Sequence, residues 1–308
     1  MADRSASREG VEFRSGFVCF VGRPNTGKST LTNALVGAKI AITSSRPQTT
    51  RHTIRGIVHR EHAQLILVDT PGLHRPRTLL GQRLNDLVRD TYSEVDVIAL
   101  CIPADEKIGP GDRWIVQQIK QMAPKTTLLG VVTKIDKVSR DQVAEQLVGV
   151  CELLGPDADV VPVSAVKGEQ VEVLVDVIAS KMPEGPAFYP DGELTDEPEE
   201  TLMAELIREA ALEGVRDELP HSLAVVIEEV LPYEERADML DVHALLYVER
   251  PSQKAIVIGK GGSRLKEVGT NARKQIEHIL GTRIYLNLHV KVAKDWQRDP
   301  KQLGKLGF

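Results

Sequence analysis

The sequence predicts two domains: an α/β domain with a mostly parallel sheet and helices on both faces, then a smaller α+β domain. Three observations lead there. In the first part of the chain, short aliphatic runs alternate with amphipathic stretches, the pattern of a parallel sheet covered on both sides. At 182–200 the text changes to MPEGPAFYPDGELTDEPEE, where prolines, glycines and acids crowd together and helical periodicity disappears. Beyond it the order becomes helix, strand, strand, helix, strand, without a βαβ rhythm.

The elements follow in order. FVCFV at 17–21 is a β-rich apolar run that enters a glycine-rich bend. STLTNALVG after the bend has helical spacing, with Leu31, Leu35 and Val36 on one face and Gly37 as its stop. Strands are expected at 64–68, 95–102, 127–132 and 160–163, with helices at 113–122 and 141–154 among them. In the second part, 201–216 and 263–280 read as helices, and 222–230, 242–250 and 283–292 as strands. The expected organisation is a flexible tail at 1–14, a first domain at 15–182, a linker at 183–200 and a second domain with a C-terminal tail at 201–308.

The 308 residues are 42% hydrophobic, enough for packed cores, and only 4% aromatic, so the cores should be aliphatic. No apolar run is long enough to cross a membrane, and the N-terminal residues lack the apolar centre of a signal peptide. Cys19, Cys101 and Cys151 lie far apart inside apolar runs, which argues for buried thiols of a cytoplasmic protein rather than disulfides or metal ligands. His243, His278 and His289 likewise lack metal-ligand spacing. The net charge of −5 is unevenly distributed: twelve basic and four acidic residues from Pro251 onward give +8, leaving −13 for the rest. One end of the molecule is therefore suited to meet an anion.

The bend at 22–30, GRPNTGKST, matches G-x-x-x-x-G-K-S between a strand and a helix. Gly22 and Gly27 allow the backbone N–H groups of the bend to turn toward phosphate oxygens, with Arg23, Pro24 and Thr26 in the cradle. Asn25 and Thr30 belong to the same cradle. Lys28 brings positive charge to the β and γ phosphates, the helix N-terminus adds its dipole, and Ser29 offers a hydroxyl to Mg²⁺. VDTPG at 68–72 follows a strand. Asp69 is suited to hold Mg²⁺ through water, and the Gly72 N–H to meet a γ phosphate, with Thr70 and Pro71 between them. TKID at 133–136 follows another strand. The Asp136 carboxylate can accept from N1–H and the N2 amino group of guanine, a donor pair adenine lacks. Thr133 and Ile135 flank Lys134, whose stem can lie along the base. After the strand at 160–163, the backbone of Ser164-Ala165 can meet guanine O6.

This ordered set resembles the translation-factor-like GTPases, and QTTRH at 48–52 followed by DTPGLH at 69–74 is similar to their Era branch. The resemblance implies a Mg²⁺-dependent GTP hydrolase with GTP and GDP as ligands. It makes Thr50, with Thr49 as second choice, the mobile-loop threonine that joins Ser29 and Asp69 at Mg²⁺ when GTP is bound. Lys28, Thr50 and Gly72 are then the catalytic set. Two residues depart from the pattern. Leu73 stands where Ras-like enzymes carry the glutamine that orients water, which implies slow intrinsic hydrolysis with water positioned by other groups. Thr133 stands where asparagine is usual, and its shorter reach predicts a weaker tie between base loop and phosphate loop, with somewhat lower nucleotide affinity.

In the second part, AIVIGKGGSRLKEV at 255–268 contains a GxxG turn, Gly259, Lys260, Gly261 and Gly262, leading into a helix. It resembles a type-2 KH domain, whose turn clamps a nucleic-acid backbone beside an apolar groove. Lys260, Lys266, Arg273 and Lys274 would face phosphates, with Ile258 at the groove or core. ERPSQKAIVIGKGG and the ending HVKVAKDWQRDPKQLGKLGF are also similar to the Era family. Trp296 is suited to stack on a base, with anchoring of the last segment the better reading.

The resemblance implies RNA as partner, specifically the 3′ end of 16S ribosomal RNA, and a role in small-subunit ribosome biogenesis by a cytoplasmic monomer, with no DNA partner. The rivals are a slow-turnover RNA-binding switch outside ribosome assembly, a GTPase at the cell membrane whose basic end meets anionic lipid, and an ATP-using P-loop enzyme.

Overall fold

A computed structural model of the chain describes residues 12–43, 50–72, 78–213, 222–234, 236 and 238–308. Leu73 and Thr49 lie outside the described residues, as does most of the N-terminal tail.

The first domain is built on a six-stranded sheet in the order β2-β3-β1-β4-β5-β6. β1 (Arg14–Val21) pairs in parallel with β3 (Ala63–Asp69) and β4 (Val97–Pro103). β5 (Thr127–Thr133) and β6 (Val160–Pro162) continue the parallel order, while β2 (Ile54–Arg60) runs antiparallel at the far edge. Alternation along β1 splits the core into two layers. Val18 and Phe20 face α1 (Lys28–Val36) and α5 (Val171–Ser180), with Leu31, Leu174 and Ile178 opposite. Cys19 and Val21 face α2 (Leu79–Glu94), α3 (Pro110–Met122) and α4 (Arg140–Leu154), with Val88, Ile115 and Val150 opposite. Both sides of the sheet are dry, which is why its central strands read as continuous apolar runs rather than alternating ones.

Parallel pairing brings the C-terminal ends of β1, β3, β5 and β6 to one edge of the sheet. Gly22, Asp69, Thr133 and Ser164 sit at those ends, where ligands of open α/β sheets bind. Cys19 and Cys101 are buried, and desolvation pushes both thiols up, Cys101 to about 12. Cys151, expected to be buried, is partly exposed because α4 turns it off the inner stripe defined by Val150 and Leu154.

β2 and α2 were not expected from the sequence. The proline- and acid-rich segment after Met182, read as an unstructured joint, is laid along the first domain instead. Ser15 donates through its N–H to Pro183 O (3.0 Å) and through its hydroxyl to Pro186 O (2.6 Å). The Gln64 carboxamide holds the backbone of Phe188 and Tyr189 with three hydrogen bonds of 2.7–3.0 Å. Leu194 O accepts from Ile57 N at 2.9 Å.

Among the described residues, the second domain stacks three helices on a three-stranded sheet. β7 (Ala224–Pro232) pairs antiparallel with β8 (Met239–Val248), with a bulge after Ile227, and β8 pairs in parallel with β9 (Arg283–Val292). One face of this sheet meets α6 (Glu199–Leu212), α7 (Pro251–Ile258) and α8 (Ser263–Leu280) over a core that includes Leu206, Val242, Leu246, Ala272 and Ile284. Ile42, from the first domain, is buried in that core. After β9 a 3₁₀ turn and α9 (Pro300–Lys305) close the chain. Trp296 is fully buried, its indole N–H donates to Ser222 O (3.0 Å), and with Leu303 and Leu306 it packs against Leu80 and Leu84 of α2. The last segment therefore joins the two domains.

Candidate nucleotide site and nucleic-acid interface

The bend after β1 is shaped by close neighbours. A Cβ on Gly22 would stand 2.6 Å from Cys101 O and 2.8 Å from the Thr26 hydroxyl, so no side chain fits. Asn25 (φ 64°) and Gly27 (φ 97°) take left-handed backbone, turning the chain so that Gly27 caps α1. Lys28 opens the helix, and its buried ammonium donates to Gly22 O (3.2 Å) and Arg23 O (2.9 Å). Burial lowers its pKa, opposed by the Asp69 carboxylate. The Arg23 guanidinium is engaged elsewhere, with Asp112 in the first turn of α3 (2.8 Å) and Glu106 (3.0 Å). Its backbone alone is left for a phosphate.

Ser29, Thr50 and Asp69 converge at the end of β3. Ser29 Oγ donates to Asp69 Oδ2 at 2.8 Å, Thr50 Oγ1 donates to the same oxygen at 3.1 Å, and the two hydroxyls are 3.2 Å apart. Asp69 is fully buried and its pKa is raised by desolvation, with Ser29 and Lys28 opposing. Its second oxygen, Oδ1, is buried without a hydrogen-bond partner among the described residues. An orphaned carboxylate oxygen beside two hydroxyls is a donor set of hard oxygens, which suits Mg²⁺. Gly72 lies across from it: a Cβ there would come within 3.6 Å of Gly22 O and Pro24 N and 3.8 Å of Lys28 Nζ. A side chain at 72 would fill the space between the two loops where a terminal phosphate can sit.

At the other end, Thr133 closes β5 and its hydroxyl donates to Thr26 O at 2.6 Å. The shorter side chain thus does reach from the base loop to the phosphate loop. Lys134 adopts left-handed backbone (φ 58°), and its ammonium stands 3.8 Å from Asp105. Ile135 and Asp136 form a 3₁₀ turn. Asp136 Oδ1 accepts from the Ser164 hydroxyl at 2.6 Å, a bond that holds its carboxyl below the usual range and so anionic. Ala165 follows. A carboxylate fixed by the Ser164 hydroxyl and kept anionic matches the paired N1–H and N2 donors of guanine.

The sequence reading missed the residues that carry this site to the second domain. Arg51, directly after Thr50, is buried and donates to Leu223 O (2.6 Å), with its guanidinium carbon 5.9 Å from the Trp296 ring centre. His52 stacks on Phe308. Glu205 and Arg208 form a buried two-bonded ion pair (2.6 and 2.8 Å). On the other flank, Glu209 accepts from Thr43 N (2.7 Å) and pairs with Lys39. Glu205, Arg208 and Glu209 are charged side chains on a helix whose residues 205–212 are all buried, and no local pattern in the sequence marks them as enclosed.

In the second domain the GKGG turn joins α7 to α8. Gly259, Gly261 and Gly262 all have positive φ (74°, 59° and 79°). A Cβ on Gly259 would strike Arg264, whereas nothing lies within 4 Å of Gly261 or Gly262. Lys260, Lys266, Arg273 and Lys274 are exposed, and Ile258 packs on the edge of the core. Arg264 points back instead, donating to Ala211 O at 3.2 Å. The turn is an open, basic helix N-terminus that a phosphate backbone can approach.

Comparison with known proteins follows the same division. Residues 17–134 match the model of the 50S ribosome-binding GTPase family, and 218–297 match the KH domain model. The chain is 79% identical to GTPase Era of Mycolicibacterium smegmatis over 97% of this chain and 100% of that one. It is 74% identical to GTPase Era of Mycobacterium leprae over the same shares. Among solved structures, Era in complex with MgGDPNP and nucleotides 1506–1542 of 16S ribosomal RNA superposes with a TM-score of 0.91 at 38% identity, covering 96% of this chain and 99% of that one. Aquifex aeolicus Era Y63A bound to GDP·AlF4⁻ gives 0.90 at 37%.

Proposed function

The chain belongs to the Era family of GTPases, and we propose that it is a Mg²⁺-dependent GTP switch whose KH domain binds the 3′ end of small-subunit ribosomal RNA during assembly of that subunit. The observation that carries the switch is the convergence of the Ser29 and Thr50 hydroxyls on the buried Asp69, one of whose carboxylate oxygens has no hydrogen-bond partner among the described residues. Ser29 and Thr50 would hold Mg²⁺ directly and Asp69 from behind, and the ion would supply charge neutralisation between the β and γ phosphates. The Lys28 ammonium leaves the carbonyls of Gly22 and Arg23 for the phosphates. The Gly22–Gly27 backbone and the Gly72 N–H enclose the terminal group, and Asp136 selects the guanine.

Hydrolysis needs a water held in line with the leaving oxygen. Leucine at 73 has no group that could orient it, so intrinsic turnover is slow and other groups place the water. The RNA half of the reading is supported by the relative solved with an RNA fragment and by the open basic GKGG turn. GTP orders the Thr50 and DTPG loops through the γ phosphate and hydrolysis releases them, which changes the disposition of the KH domain and so its access to RNA.

Calorimetry with Mg²⁺ and GTP, ATP or XTP tests the site: strong preference for GTP is expected, moving toward XTP in Asp136→Asn, while equal affinity for the three would refute it. Phosphate release with and without the rRNA 3′ end tests the coupling, and identical rates would remove it.

A further inference from the structure

Thr50 does not stand on the first domain alone. The residues flanking its loop are fastened to the second domain at both ends. Before it, Thr43 N donates to Glu209 of α6, and Ile42 is inserted into the second domain's core. After it, the Arg51 side chain is fully buried and reaches the Leu223 carbonyl at the start of β7. One face of the guanidinium lies over Trp296, which is itself held by Ser222 O. Around this group lie Glu205, Arg208, His52 and Phe308, all of them from the second domain except His52. The next residue toward the N-terminus is the one whose hydroxyl meets Asp69 and Ser29.

We infer that Arg51 is a positioning residue for the GTP-bound site: it fixes Thr50 against Asp69 only while its guanidinium is seated in the second domain. The inference rests on the reading of Thr50 as a Mg²⁺ ligand. A backbone link of one residue transmits position directly. Thr50 cannot shift from Asp69 without dragging a buried planar cation off a carbonyl and an aromatic face, and undocking of the second domain must release Thr50. Lysine would not replace it, because an ammonium cannot lie flat on the Trp296 ring while donating to Leu223 O. The second domain is thereby a structural part of the nucleotide site, and Arg51 is the side chain through which a displacement of that domain would reach Thr50. GDP lacks the γ phosphate that completes the Thr50 arrangement, so its affinity does not depend on Arg51.

The test uses the full chain and reads binding rather than turnover. Affinities for a non-hydrolysable GTP analogue and for GDP, and the Mg²⁺ concentration giving half-maximal analogue binding, are measured for Arg51→Met, Arg51→Lys, Trp296→Phe and Thr50→Ala. Arg51→Met should lower analogue affinity about tenfold, an ordinary coupling between sites, and raise the Mg²⁺ requirement, with GDP affinity unchanged. Arg51→Lys should fall between, and Trp296→Phe, which keeps an aromatic face, should stay near the parent. If Arg51→Met does not fold, Arg51→Lys carries the same comparison. Equal losses for analogue and GDP, or no loss for either, overturn the inference. Thr50→Ala separates the two levels: if it spares analogue affinity and Mg²⁺ demand, the reading of Thr50 fails, whereas a selective loss there with none in the Arg51 variants sinks only the role of Arg51.

Discussion

The chain contains two glycine-rich bends that open a helix, one at 22–29 and one at 259–262, and both are suited to phosphate. Their surroundings differ. Gly22 is walled by Cys101 O and Thr26, and its lysine is buried against carbonyls. Gly261 and Gly262 face open space, and Lys260 is exposed. A closed bend can enclose the end of a phosphate chain, where desolvation strengthens every contact. An open one can only lie against a backbone that continues on both sides, where each contact is screened by salt. The same local geometry is therefore suited to a small ligand in one domain and to a polymer in the other, and burial makes the difference.

The largest effect expected from this contrast is at Lys28. Replacing it with alanine removes a buried charge from the phosphates and should cost about 3 kcal/mol or more of GTP binding, measured by calorimetry, while Lys260→Ala leaves GTP binding unchanged. A loss of GTP affinity in Lys260→Ala would break the division. Gly261→Asp comes next. It puts a carboxylate into the open bend and forces a side chain onto left-handed backbone, so RNA affinity should fall about tenfold or more, from repulsion of phosphate, with the melting temperature little changed. A smaller effect is expected from Thr133→Ala, which leaves Thr26 O unmet and should weaken guanine nucleotides by about 1 kcal/mol; Thr133→Asn should bind as the parent does. The smallest is Lys266→Ala. RNA binding followed against salt should show a slope of log affinity shallower by about one, with guanine-nucleotide affinity untouched.

Burial also explains what could be read from the sequence. The phosphate bend, Asp69, Thr133–Asp136 and Ser164 were legible because each sits just after an apolar strand and its chemistry is local to a few residues. The type of the second domain was legible through the GKGG turn and the helix after it, although α7, just before the turn, was not expected. β2 was not, because an edge strand with Arg55, Gly56 and His59 in it shows neither a continuous nor an alternating apolar pattern. α2 was missed because its inward face includes Gly81, Asn85 and Thr91, which dilute the period. The joint after Met182 was misread because its order comes from Gln64, more than a hundred residues earlier. The Arg51 anchor was invisible for a related reason: its partners, Leu223 O and Trp296, are distant in sequence, and one of them is a backbone atom. At Thr133 the shorter side chain was expected to loosen the tie between the loops, yet its hydroxyl reaches Thr26 O at 2.6 Å.

The two bends belong to one device only if the closed one governs the open one. The affinity of the full chain for the 3′ end of small-subunit rRNA, measured at fixed salt and Mg²⁺ with a non-hydrolysable GTP analogue and again with GDP, tests this most directly. Tighter RNA binding with the analogue is expected, and the difference should vanish in Thr50→Ala. Equal affinity in the two nucleotide states would contradict the account.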